Sequence, residues 1–264
     1  MAHSFVKPSE FTSLLKSWIA VDTAPVVIHS AVWPFAAIWR LNAEDVCSQL
    51  LDCILAAAGP GRDILMPTFT PGYHDGFLDL DAAPSTTGLL SEAFRRSPGS
   101  RRTLSAFFSF AAQGPSSLEL TGLRPEEAWG EGSLYAWMEE RNAHFVTLGV
   151  HPTHVSYYHR YEWLFRHRIT YRTFKTTTGI VRHQGRNVPL KETLFVRSLD
   201  PEAENDFTTL LPLFTQSSQL REKTTAPVAS HMRAQAALCA VQSAFESNPH
   251  FVLKNPQDFP AFKP

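Results

Sequence analysis

The sequence predicts an α/β fold, and three consecutive segments in its first third carry that expectation. Val26-Val27-Ile28-His29-Ser30 is a short β-branched run that reads as a buried strand. Asn42-Ala43-Glu44-Asp45 opens a helix with apolar positions at Val46, Leu50, Leu51, Ile54 and Leu55, and Gly59-Pro60-Gly61 stops it. Asp63-Ile64-Leu65-Met66-Pro67 is a second strand, ended by its proline. Strand, helix and strand in alternation favour an α/β architecture over an all-α or all-β one.

The remaining elements follow in chain order. Pro8-Ser9-Glu10-Phe11, followed by Leu14, Leu15 and Trp18, reads as a capped amphipathic helix. Residues 71–87 are rich in Gly, Pro, Asp, Ser and Thr, which predicts a long surface loop of the kind that often carries function. Thr87–Arg95 reads as a short helix and Leu104–Ala112 as a strand. Trp129-Gly130-Glu131-Gly132-Ser133 is a turn leading into a helix through Trp137 and Met138, and His144–Val150 is a strand. Ser156–Phe165 has helical spacing, and Gly179–Val188 resembles a hairpin with Gln184-Gly185 near its turn. A last helix spans Met232–Phe245. With no internal repeat, low-complexity tract or clean linker, residues 1–264 are expected to form a single domain, with 166–225 as a candidate lobe on the substrate side.

Composition narrows the class of partner. The 264 residues carry a net charge of −1, so no global field favours nucleic acid or an anionic membrane. No run of 18 apolar residues occurs, and the N-terminus lacks a charged-then-apolar signal pattern. Cys47, Cys53 and Cys239 are odd in number and lack paired spacing, which argues against a disulfide framework and for reduced thiols in a cytoplasmic protein. A small-molecule partner, with neither nucleic acid nor membrane, is the resulting expectation, for a monomer or homodimer.

His159 and Glu162 are three apart on the expected helix, so the carboxylate can orient the imidazole. A neutral imidazole suits removal of a proton from an attacking amine near neutral pH. Ser156, three residues the other way, brings a hydroxyl that can donate to a departing thiolate. Read alone, a His-x-x-Glu pair is more commonly a satisfied histidine beside a surface glutamate. His151, His154 and His159 supply enough nitrogens for zinc, but Pro152 disfavours the helix that would align the first two, and no His-Glu-x-x-His or Cys-x-x-Cys motif accompanies them. No metal site is therefore expected. The strand end at His29-Ser30 can hold phosphate or pantetheine groups through backbone amides, and Arg101 and Arg102 can pair with phosphates; a strand end facing solvent and a solvated loop are the plainer alternatives. Asp75, Asp79 and Asp81 could attract a cationic amine or simply be solvated. The Gly-x-Ser-x-Gly elbow, the phosphate-binding Gly-x-x-x-x-Gly-Lys loop and the Gly-x-Gly-x-x-Gly fingerprint are all missing, which disfavours an α/β-hydrolase, a P-loop nucleotidase and a dinucleotide enzyme.

Taken in order, these pieces resemble the aminoglycoside 3-N-acetyltransferase, or antibiotic N-acetyltransferase, family. The carriers are His29-Ser30, Met66-Pro67-Thr68-Phe69-Thr70, the run Pro84–Arg95, Arg102-Thr103, Ser109–Gly114, Trp129–Ser133, Leu148-Gly149-Val150, Ser156-x-x-His159-x-x-Glu162 and Tyr171-Arg172. The resemblance implies a three-layer α/β/α sandwich of that family's type, distinct from the GNAT fold. It implies acetyl-CoA, or another acyl-CoA, as co-substrate and direct transfer to a primary amine of an amino sugar, an aminoglycoside or a natural-product intermediate. His159 would be the general base, with Glu162 and Ser156 as partners. His29, Ser30, Ala31, Arg102, Ser109 and Phe110 would contact the cofactor, and Thr68, Asp75, Glu131 and Tyr158 the acceptor. Tyr171-Arg172-x-x-Lys175-x-x-x-Gly179 and Asn248-Pro249-His250-Phe251 look closer to carbohydrate- or natural-product-associated members. Three departures stand out: Ser105-Ala106 replaces the family's usual His-Pro, Ser156 its usual Thr, and Ala31 its second Ser. The Ser105-Ala106 replacement keeps open a non-catalytic acyl-CoA or sugar-binding protein on the same scaffold, and His151, His154 and His159 keep open a metal-dependent hydrolase.

Overall fold

The computed structural model describes residues 7–217 and 219–260. In chain order the elements are α1 (Pro8–Ile19), β1 (Val26–Ser30), α2 (Trp33–Trp39), α3 (Ala43–Ala58), β2 (Ile64–Pro67), β3 (Phe77–Asp79), α4 (Leu89–Arg96), β4 (Arg101–Arg102) and β5 (Phe110–Gln113). They continue with α5 (Ser117–Leu120), α6 (Leu134–Glu140), β6 (His144–Leu148), α7 (Tyr158–Leu164), β7 (Arg172–His183), β8 (Arg186–Arg197), α8 (Leu211–Gln216), β9 (Arg221–Lys223), β10 (Ala229–Arg233) and α9 (Ala234–Ser247). Local chemistry explains the boundaries. The Asn42 side chain accepts from the Asp45 N–H at 2.9 Å and so caps α3, and Gly59, with a φ of +77°, ends it.

Alternation along the strands sets the layers. The main sheet has the order β4-β5-β2-β1-β6-β10-β9, with β1 parallel to both β2 and β6. Val26, Ile28, Ile64, Met66, Val146 and Leu148 turn to one face, into a core shared with α1, α3 and α4. Val27, Leu65 and Phe145 turn to the other, against the aromatic side chains of α6, α7 and α9. The expected three-layer α/β/α sandwich is what these two cores build.

Three elements differ from the sequence-based expectation. Of Leu104–Ala112, only the part from Phe110 joins the sheet, because the Ser105 hydroxyl accepts from the N–H groups of Phe107 and Phe108 and turns the chain away. The 71–87 loop contains β3, which pairs with β7 in a second sheet of order β3-β7-β8. The hairpin is far longer than Gly179–Val188, running from Arg172 to Arg197 around a turn at Gln184-Gly185 with positive φ at both residues. Within 166–225, this hairpin lies outside the main sheet, whereas Arg221–Lys223 belongs to it. Among the described residues, no helix is long and apolar enough to cross a membrane.

At the N-terminal end of β6, a buried polar cluster makes stability depend on pH. His144 Nδ1 lies 2.8 Å from His231 Nε2, and His144 Nε2 lies 2.9 Å from Asp22 Oδ1. Arg233 and Arg62 both reach the same aspartate. Burial pushes His144 down to about 4 and His231 to about 3, and burial with the nearby His154 pushes His29 to about 3. These histidines stay neutral in the fold but charge in the unfolded chain below about pH 6.5. The unfolded state therefore binds more protons as the pH falls through that value, and each histidine costs about 1 kcal/mol over the first full pH unit below it. Thermal unfolding should show a midpoint several degrees lower at pH 5.5 than at pH 7.0, with a smaller drop in a His231→Leu variant. A pH-independent midpoint over that range would contradict the neutral cluster.

Candidate active site

Helix α7 follows the C-terminal end of β6 through residues 149–157, so it sits at the edge of the parallel strands where α/β folds place ligands. The spacing of His159 and Glu162 brings their side chains together: His159 Nδ1 is 2.6 Å from Glu162 Oε2. An ionised carboxylate can only accept, so Nδ1 carries a proton, and in the neutral imidazole the lone pair then lies on Nε2. The His159 side chain is 28% exposed, while that of Glu162 is fully buried.

Glu162 is held by four side chains. Its Oε1 accepts from the Tyr171 hydroxyl at 2.9 Å, Arg172 Nε at 2.9 Å and Asn205 Nδ2 at 2.8 Å. Its Oε2 accepts from His159 and lies 2.9 Å from an Arg172 terminal nitrogen. Burial, the largest single influence, would raise the carboxyl, but Arg172, His159 and Asn205 together outweigh it and hold the group down at about 2. Arg172 also donates to Asn205 Oδ1 at 2.7 Å and to the Phe195 carbonyl at 2.9 Å. Asn205 was not foreseeable, since it stands 43 residues from its partner and no local pattern marks it. Tyr171-Arg172 was visible only as a motif following the helix.

A cavity of about 540 Å³ opens on His159, with Phe108, Trp129, Val196 and Phe207 among its lining residues. The imidazole meets Trp129 edge-on at 5.7 Å and Phe207 at 5.3 Å. Phe108 stands 4.7 Å from Trp129, and a buried carboxylate fixes its loop. Glu192 on β8 accepts from the Ser105 hydroxyl at 2.5 Å and from the Ala106 N–H at 2.8 Å. Ser105-Ala106 thus has a local partner of its own, and burial raises the Glu192 carboxyl.

Ser156 lies just before α7, and its hydroxyl faces His29 and Tyr135. Tyr135 donates to Ser156 Oγ at 3.1 Å, and His29 Nε2 is 3.3 Å from the same oxygen. His29 Nδ1 is buried without a hydrogen-bond partner. Ser30 and Ala31 are half-buried at the end of β1. The chain passes close there: a Cβ on Gly149, whose φ is +69°, would come within 2.3 Å of the Ala31 carbonyl.

The structure places the other expected ligand contacts as follows. Tyr158 is fully buried and donates to the Pro152 carbonyl at 2.7 Å, so its hydroxyl serves the loop before α7. The side chains of Thr68, Ser109 and Phe110 are fully buried. Arg102 donates to Ser109 Oγ and to the carbonyls of Leu80, Ala83 and Thr68, so its guanidinium clamps the start and end of the 71–87 loop region. Asp75 is on an exposed turn beside His74. Glu131 lines a second cavity with Glu126 and Glu127. His151 and His154 are exposed, and among the described residues no group of three His, Cys, Asp or Glu side chains is placed to hold a metal ion.

Comparison with known proteins gives a consistent result. The sequence profile described as aminoglycoside 3-N-acetyltransferase matches residues 40–246. AAC-IIIb, solved as a binary complex with CoASH, superposes with a TM-score of 0.74 at 18% identity, covering 92% of this chain and 98% of that one. Sisomicin-bound AAC-VIa gives 0.74 at 19% identity, covering 91% and 98%. The YokD protein from Bacillus subtilis gives 0.63 at 18% identity, covering 91% and 99%. A search of curated proteins finds no match.

Proposed function

Because the chain belongs to the aminoglycoside 3-N-acetyltransferase family, we propose that it transfers an acetyl or other short acyl group from CoA to a primary amine, with His159 as the general base. The observation that carries this reading is the 2.6 Å contact between His159 Nδ1 and Glu162, which leaves Nε2 as the basic nitrogen of an imidazole lining an open cavity. The amine nitrogen attacks the thioester carbon and a carbon–nitrogen bond forms. His159 Nε2 takes the proton that the nitrogen loses. The buried carboxylate of Glu162 faces the positive charge that develops on the ring, and Arg172 and Asn205 keep that carboxylate from turning. The carbon–sulfur bond then breaks, its electron pair leaves on sulfur, and the imidazolium proton neutralises the thiolate.

The residues present fit acetyl-CoA at the end of β1. The buried, unpartnered Nδ1 of His29 is a polar atom suited to a pantetheine amide. Ser156, backed by Tyr135, supplies a hydroxyl to the departing sulfur. The test is free thiol released from acetyl-CoA by the purified chain across a panel of primary amines, with N-acetyl product identified by mass. Acceptor-dependent thiol release is expected. CoA binding with no release across the panel would favour the non-catalytic reading instead.

A further inference from the structure

The cavity at His159 is aromatic, and its charges are already spoken for. Trp129 and Phe207 flank the imidazole, Phe108 packs on Trp129, and Leu194 and Val196 add aliphatic surface from β8. Arg172 is engaged by Glu162, Asn205 and the Phe195 carbonyl. Arg197 pairs with Glu202 at 2.8 Å and donates to the Ala203 carbonyl. Glu204, the one carboxylate among the described lining residues, pairs with Lys254.

An amine with several ammonium groups would fare badly here. Each charge beyond the reacting nitrogen would lose water without gaining a free carboxylate, and two guanidinium groups would face it. Apart from Glu204, the acidic side chains considered for such charges lie elsewhere: Asp75 on its exposed turn, and Glu126, Glu127 and Glu131 around the second cavity. An apolar ring, by contrast, finds aromatic edges and faces, and the same surroundings favour the neutral amine that attack requires.

We infer that the acceptor is a hydrophobic, ring-bearing amine with a single cationic centre, not a polycation such as an aminoglycoside. This rests on acyl transfer at His159, and the experiment separates the two. Rates with acetyl-CoA and the full chain are compared for 2-phenylethylamine, tryptamine and sisomicin. The expected result is a kcat/KM at least 100-fold higher for the two aryl amines. Sisomicin turned over as well as or better than they are overturns the acceptor class and leaves acyl transfer standing. A Val196→Glu variant, which adds a carboxylate to the lining, should shift the ratio toward sisomicin by at least 10-fold; an unmoved ratio means the cavity does not receive the acceptor. If no amine is acylated, calorimetric titration decides. Binding of 2-phenylethylamine but not sisomicin supports the acceptor class and removes the acyl-transfer reading, and binding of neither overturns both.

Discussion

Replacement of His159 by alanine should lower kcat by roughly 10²–10⁴-fold, the usual range for losing a general base, while changing KM for acetyl-CoA only a few-fold. The split follows from position. His159 sits against the cavity, with its Nδ1 tied to Glu162, whereas the proposed donor contacts lie at His29 and Ser156. The side chain is 28% exposed, so its loss opens little core, and the unfolding midpoint should stay near that of the parent. Thiol release at saturating amine measures the effect. A turnover number unchanged in the variant would remove His159 from the chemistry.

Removing Arg172 should strike the fold as well as the reaction. Arg172→Ala deletes the guanidinium that forms a salt bridge with Glu162, and it leaves the carboxylate fully buried. Breaking such a pair from one side costs about 3–5 kcal/mol. Tyr171 and Asn205 remain as donors, but neither carries charge. Adding Glu162→Gln to Arg172→Ala should return part of the lost stability, because the uncompensated charge goes with it. The sign of the pH effect is also fixed. The depressed Glu162 carboxyl contributes stability above its unfolded value of about 4.3, and that contribution fades as the pH falls toward 2. Denaturant midpoints for the parent, the two single variants and the double variant check this, and additive losses would show that the pair is not coupled.

The parts of the fold that short-range chemistry dictates were legible in the sequence. Asn42 and Gly59 mark the ends of α3, the β-branched run marks β1, and Gln184-Gly185 marks the hairpin turn, because capping and positive φ restrict residue type locally. The His159–Glu162 pair was legible for the same reason, as three-residue spacing on a helix. What escaped depends on distant partners. Asn205 and Arg172 acquire their roles only when the chain after the hairpin folds back on α7. The Ser105 turn and its Glu192 partner are 87 residues apart. For Tyr158 and Arg102 the sequence shows groups that suit a ligand but not that each donates to backbone carbonyls of its own chain.

The β7–β8 hairpin has an evolutionary consequence. It contributes Leu194, Phe195, Val196 and Arg197 to the lining of the cavity, and through Glu192 it also anchors the loop that adds Phe108 to that lining. His159, the proposed general base, rides on α7 instead, and the proposed donor contacts ride on the end of β1. Exchange or drift within one excursion from the main sheet can therefore reshape the chamber while the reactive centre is inherited intact. Divergence of acceptor preference on this scaffold needs no redesign of the core, only a hairpin that keeps Arg172 at its root and a carboxylate at 192.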